Sequence, residues 1–178
     1  MAYLQTAHAI TRIREVIGEG RGTQYTVPPG RFQDALRRGI DEGQATLRGH
    51  EAAAPFRVEF TGSARNAASP VFNRSNLQKY DVGINVVVSR SLGAAAKVDP
   101  DEAGAVTAAM IEDADILAQA LGFAGNLTTT EDGDATDIVS GRLEYLSTSL
   151  ATIGRDNTNQ RLEATHAFSC VMVSRPGS

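Results

Sequence analysis

The chain has 178 residues, 42% apolar and 21% charged, a composition that predicts one globular domain with a sizeable core rather than a disordered chain. A formal net charge of −4 argues against a dedicated DNA- or RNA-binding surface, because phosphate affinity needs clustered Lys and Arg. The single cysteine, Cys170, excludes an intrachain disulfide and a multi-cysteine zinc site.

The first part of the chain is predicted to hold two helices separated by a connector. Residues 2–18 carry apolar side chains at helical spacing, whereas residues 19–30 are rich in Gly and Pro and predict a loop. A second apolar stripe begins with Phe32 and Leu36, which predicts a further helix over 31–48. The N-terminus lacks the pattern of a signal peptide, so we expect the protein to stay in the compartment where it is made.

The period of the apolar residues then changes from helical spacing to alternation. Residues 56–60 and 80–88 alternate apolar with polar side chains, which predicts two strands that each turn one face to a core. Between them, residues 62–76 are small and polar, and such a long connection in a compact domain is usually functional or flexible.

The last part of the chain predicts one helix and two strands. Residues 99–122 begin with an N-cap, a proline and two acids, which are helix-start signals. Residues 138–153 are ambiguous between helix and strand, but their β-branched and Tyr content favours a strand. Residues 161–174 alternate with apolar side chains on both faces, which predicts a strand in the sheet interior or one that faces a partner.

Together these elements predict one α+β domain over 1–178, with extended loops at 19–30 and 62–76. Because the strands are paired through turns and the helices are set apart, we expect a four-stranded antiparallel sheet with the helices packed mainly on one face. No residue is predicted to be catalytic, to bind a cofactor or to bind a metal. The three histidines lack metal-ligand spacing, and no nucleophile motif or phosphate-binding loop is present.

The acidic segment 131–137 is the best candidate for a metal site, because carboxylates around a glycine resemble the oxygen ligands that Ca²⁺ prefers. The register of an EF-hand fails, since Leu143 stands where a bidentate Glu is needed. An acidic, Gly-containing turn is the more economical interpretation. A small metal-dependent enzyme or ligand-binding domain that uses these acids is therefore the alternative from another class.

The order of elements resembles that of the tail terminator, or tail completion, proteins of long-tailed bacteriophages. The segments that carry this resemblance are AITRIREVI (9–17), FRVEF (56–60), YDVGINVVV (80–88), the helix 99–122, RLEYLSTSL (142–150) and RLEATHAFSCVMVS (161–174). The resemblance covers most of the chain as a pattern of elements and includes no short diagnostic motif. A tail-tube protein or another neck subunit is the alternative within the same class.

The resemblance implies a structural virion protein, assembled in the host cytoplasm, that forms a hexameric ring on the end of the tail tube. Such a ring stops tube polymerisation and joins the tail to the head connector, so its implied partners are itself, the tail-tube protein and the connector. DNA would pass through the channel without specific binding, which suits a mildly acidic subunit. No membrane is implied.

The residues expected at a partner interface are those of the long loop together with one arginine near the connector, because Arg and aromatic side chains are enriched in interfaces. They are Arg65, Phe72, Arg74 and Arg31. A solvated loop with one buried Phe is the alternative for 62–76. The acids expected to face the channel are those of the densest acidic cluster: Glu131, Asp132, Asp134 and Asp137.

Overall fold

The computed structural model describes residues 2–22, 24–36, 50–65, 78–92, 100–127, 140–154 and 160–174. The helices are α1 (Ala2–Gly18), α2 (Pro100–Gly122) and α3 (Ala124–Leu127). The strands are β1 (Phe32–Asp34), β2 (Ala54–Arg65), β3 (Gln78–Ser91), β4 (Ser140–Ile153) and β5 (Arg161–Ser174). The described strands form one sheet in the order β1-β2-β3-β5-β4.

The α+β class is confirmed, but the expectation of a four-stranded antiparallel sheet is wrong. The sheet has five strands and is mixed, because β1 pairs with β2 in parallel while the other pairs are antiparallel. The predicted helix over 31–48 is wrong at its start, because residues 32–34 form the strand β1. Phe32 and Asp34 are buried on either side of the half-buried Gln33, which is the period of a strand, and Leu36 is 72% exposed. Residues 37–49 lie outside the described residues.

The remaining elements agree with the sequence in type. The predicted helices 2–18 and 99–122 correspond to α1 and α2, and the segment predicted over 138–153 corresponds to the strand β4, Ser140–Ile153, rather than to a helix. Strand β2 runs on to Arg65, so the predicted loop 62–76 starts later than expected, and its remainder lies outside the described residues. Strand β5 lies between β3 and β4, which decides in favour of the sheet interior.

The core lies between the two long helices and one face of the sheet. Helix α1 buries Ile13 and Ile17, and α2 buries Leu117 and Leu121, at the three- and four-residue spacing of an amphipathic helix. The sheet meets them with alternate residues, which share one face because side chains alternate along a strand. These sheet residues are Val82, Ile84, Val86, Val88, Phe168 and Cys170.

A β-bulge interrupts the pairing of β2 with β3. The register shifts between Phe60 and Gly62, and Gly62 has a φ of 152°. A Cβ atom on Gly83 of the opposite strand would collide with the hydroxyl of Thr61 at the bulge. A larger residue at position 83 would therefore displace the Thr61 side chain at the bulge. No helix in the described part of the chain has the length and apolar character needed to cross a membrane.

Candidate assembly surface

Strand β4 forms one edge of the sheet, and no other described strand pairs with its free side. It is 14 residues long, which is more than twice the usual strand length of about six residues. Residues 145–153 include no charged residue, no proline and no glycine. Proteins normally protect long edge strands with such residues, because unpaired backbone groups are a template for another chain.

Large apolar side chains are exposed along this edge. Tyr145, Leu146, Leu150 and Ile153 are all exposed, whereas Leu143 at the start of the strand is fully buried. The register with β5 places Leu150 beside Ala164, on the face that carries the core. Leu150 is nevertheless 51% exposed, whereas Leu143 belongs to the buried core cluster that includes Leu117 and Leu121 of α2. The apolar face of the sheet is therefore left open at this edge.

The opposite edge of the sheet has a second open stretch, on strand β2. Strand β1 pairs only with residues 54–56 of β2, so β2 from Arg57 onward has no described neighbour on its outer side. Phe60 pairs with Ile84 and so lies on the core face, yet 41% of it is exposed. The two edges of the sheet thus each carry a half-exposed apolar side chain on the same face.

The other face of the sheet carries an ion-pair cluster that spans three strands. Arg57 of β2 donates two hydrogen bonds to Glu163 of β5, at 3.1 and 3.2 Å, across the intervening β3. Its Nε atom donates to Glu59 at 2.6 Å. The hydrogen bond from Arg57 lowers the pKa of Glu163, and hydrogen bonds to Glu163 and Glu59 raise the pKa of Arg57. Arg57 and Glu59 on strand β2 are therefore already paired within the subunit.

Arg31, one of the residues predicted at a partner interface, binds inside the subunit. Its Nε atom donates to Asp113 at 2.6 Å, and its Nη2 atom donates to Glu112 and to the carbonyl of Ala109. Burial opposes the charged guanidinium, but the hydrogen bonds and charges of Asp113 and Glu112 outweigh it and raise the pKa of Arg31. Arg31 thus attaches the segment before β1 to helix α2, and its role at an interface stays a prediction.

Asp113 is fully buried and is shared by two arginines. Arg90 of β3, itself buried, donates to both carboxylate oxygens, at 2.7 and 2.9 Å. Arg90 also donates to the carbonyl of Ala52, just before β2, at 3.0 Å. The cluster therefore fixes α2, β3 and the backbone before β1 and β2 relative to one another.

His166 is fully buried on the core face of β5. Its Nδ1 atom lies 2.8 Å from the hydroxyl of Thr148, which lies 2.7 Å from the hydroxyl of Tyr145. Its Nε2 atom has no hydrogen-bond partner. Burial lowers the pKa of His166, and the charge of Asp113 opposes that shift only in part. A neutral ring therefore joins β5 to the exposed edge strand.

The connector 19–30, predicted as a loop, is held against α3 where it is described. The buried Asn126 donates to the carbonyl of Gln24 at 2.7 Å, and Arg12 donates to the carbonyl of Asn126 at 3.0 Å. Tyr25 has a φ of 52° and is exposed, with its ring 5.7 Å from that of Phe123. A left-handed non-glycine residue is unusual, and the contacts of Asn126 hold this turn in place.

The other residues predicted to act at an interface or channel are not brought together by the described structure. Arg65 ends β2, and its side chain is not described. The remaining predicted residues lie outside the described residues: Phe72, Arg74, Glu131, Asp132, Asp134 and Asp137. The sequence reasoning missed β4 as a surface, although the uncharged run 145–153 was visible in the sequence.

Within the described ranges, no three or more His, Cys, Asp or Glu residues are grouped so that they could hold a metal ion. Cys170 is buried on the core face, and burial raises the pKa of its thiol to about 11. A thiol with such a high pKa is a poor nucleophile at neutral pH, because the thiolate is the reactive form. The distinctive features of the described surface are therefore its two sheet edges.

Comparisons with known proteins do not assign the chain to a family. No protein-family model matches it, and no curated protein matches it significantly. The features that bear on function are therefore the open edges of the sheet and the resemblance in element order.

Proposed function

We propose that this protein is a virion assembly subunit that forms a closed ring with copies of itself at the top of a phage tail tube. The observation that carries the proposal is the edge strand β4, which is long, uncharged over 145–153 and lined with exposed apolar side chains. Surfaces of this kind are found where another chain binds, since in a free monomer they promote aggregation.

A closed ring is the form of assembly that the two sheet edges favour. The exposed edge of β4 and the open stretch of β2 lie at opposite sides of one subunit and are unlike one another. Contacts between unlike surfaces are heterologous, and repeated heterologous contacts close into a ring when the rotation between subunits allows it. The resemblance in element order adds the place of the ring, between the tail tube and the head connector.

The proposed role is mechanical. The ring stops polymerisation of the tail-tube protein, gives the connector a surface to bind and leaves a channel for DNA. A net charge of −4 fits this role, because a channel lined with basic residues would hold the phosphates. The acids of 131–137 are proposed to face the channel, and Arg65, Phe72 and Arg74 to contact a neighbouring protein.

The test is to measure mass and shape in solution, alone and with purified tail tubes. We expect one oligomer with a fixed copy number, seen as closed rings by electron microscopy and bound to tube ends. A strictly monomeric protein under both conditions would contradict the proposal. Open tubes of indefinite length would instead favour the alternative, a tail-tube subunit, and rings that bind only the connector would favour another neck subunit.

A further inference from the structure

We propose that neighbouring subunits join head to tail by antiparallel pairing of β4 in one copy with the open stretch of β2 in the next. The inference rests on the proposed ring and names the surfaces that form it. The partner that binds the edge of β4 is thus a second copy of this chain, and the sheets of all subunits become one continuous sheet.

Strand direction supports this pairing. Strand β4 is antiparallel to β5, β5 is antiparallel to β3, and β3 is antiparallel to β2. It follows that β4 and β2 run in opposite directions within one subunit. A neighbour related by rotation about an axis along the strands keeps its strand directions, so its β2 meets β4 in the antiparallel arrangement.

The apolar side chains at the two edges match across such a contact. Leu150 and Phe60 are 51% and 41% exposed, and the strand registers place both on the core face. When the strands are aligned so that these two residues are opposite one another, each covers the other. Cross-strand neighbours have Cβ atoms about 5 Å apart, within reach of both side chains.

The same alignment gives acceptable neighbours at the next positions on both faces. Counting two and three residues along antiparallel strands from Leu150 and Phe60, Thr152 falls opposite Val58 and Ile153 falls opposite Arg57. Ile153 is exposed and would pack on the aliphatic stem of Arg57. The Arg57 side chain is 43% exposed, which leaves part of its surface available for this contact.

Charge also favours strand β4 of a second copy over a partner that would bring charged residues to the β2 edge. The β2 edge carries Arg57 and Glu59, which lie 2.6 Å apart as an ion pair, and Arg57 is paired with Glu163 as well. Residues 145–153 of β4 bring no charge to the contact. Covering Arg57 and Glu59 with residues 145–153 therefore buries two charges that are already paired, and desolvation of an unpaired charge is the main electrostatic cost of forming an interface.

Disulfide cross-linking tests the proposed pairing directly. The variants Leu150→Cys and Phe60→Cys are made singly and together, and each assembled protein is oxidised and run under denaturing, non-reducing conditions. We expect the double variant to give a ladder of cross-linked oligomers, and an equal mixture of the two single variants to give a cross-linked dimer. Each single variant alone should stay monomeric on the gel, as should the wild type, because Cys170 is buried.

The possible results separate the inference from the proposed function. Rings without any cross-link in the double variant would overturn the strand pairing and leave the ring intact. A cross-linked dimer from Leu150→Cys alone would also overturn it, since that result requires two β4 strands to pair with each other. Absence of rings in the wild type would contradict the proposed function itself.

A charge substitution gives a second test that does not depend on disulfide geometry. Leu150→Lys places a charge at the proposed contact, and we expect self-association to weaken by about tenfold or more. Ile111→Lys is the matched control, because Ile111 is also an exposed apolar residue but lies on helix α2 and not on an edge strand. Thermal unfolding of both variants shows whether they fold. Equal association of the two folded variants would refute the inference.

Discussion

Replacing Asp113 with alanine should remove a large part of the stability of the subunit. Asp113 is fully buried and accepts hydrogen bonds from Arg90 and Arg31, and Arg90 is buried as well. Without the carboxylate, the guanidinium of Arg90 loses two charge-assisted hydrogen bonds, and those to the carbonyls of His50 and Ala52 do not neutralise its charge. Removing one partner of a buried ion pair costs about 3–5 kcal/mol, which is a large share of a typical unfolding free energy of about 5–15 kcal/mol.

Urea unfolding followed by circular dichroism measures this loss. Asp115→Ala is the matched control, because Asp115 is exposed on the same helix and its loss should change the free energy of unfolding by about 0.5 kcal/mol or less. All measurements are made at one protein concentration, since assembly also stabilises the folded state. If Asp113→Ala lowered the unfolding free energy by less than about 1 kcal/mol with an unchanged m-value, the cluster of Asp113, Arg90 and Arg31 would not be a major source of stability.

Three further predictions concern single groups. Because burial lowers the pKa of His166, the unfolded chain binds a proton before the folded one, so stability should fall as the pH drops below about 6.5. In His166→Gln the urea midpoint should depend less on pH between 7 and 5. An unchanged dependence would show that His166 does not cause the loss of stability at low pH. Cys170, with a thiol pKa of about 11, should react with a thiol reagent at pH 8 only after unfolding in urea; rapid reaction of the native protein would refute its burial. Arg57→Ala should cost only about 1 kcal/mol, because exposed ion pairs contribute little, and a loss near that of Asp113→Ala would show that the pair is more important than its exposure suggests.

The sequence predicts the long elements well because their apolar patterns are strong and local. The stripe of α2 and the alternation of β3 and β5 each extend over about nine residues or more, and the structure has the same elements. Strand β1 is different. Phe32 and Leu36 fit a helical stripe, and only the parallel pairing with residues 54–56 makes this short segment a strand. That pairing is a tertiary contact, which the local pattern does not contain.

The assembly surface was harder to predict from the sequence. The run 145–153 is uncharged, and its β-branched and Tyr content favours a strand, but that content fits the centre and the edge of a sheet equally well. Sheet order decides which, and it places β4 at the edge. The burial of Asp113 was equally hidden, because its partners Arg90 and Arg31 lie 23 and 82 residues away in the chain.

Native mass spectrometry of the purified wild-type chain, over a range of concentrations, measures whether this subunit closes into a ring through contacts between unlike edges of its sheet. We expect one dominant assembly with a fixed copy number, expected to be six, that persists on dilution. Its association should weaken by about tenfold or more in Leu150→Lys but not in Ile111→Lys. A monomer at every concentration, or a dimer as the largest species, would contradict the closed ring.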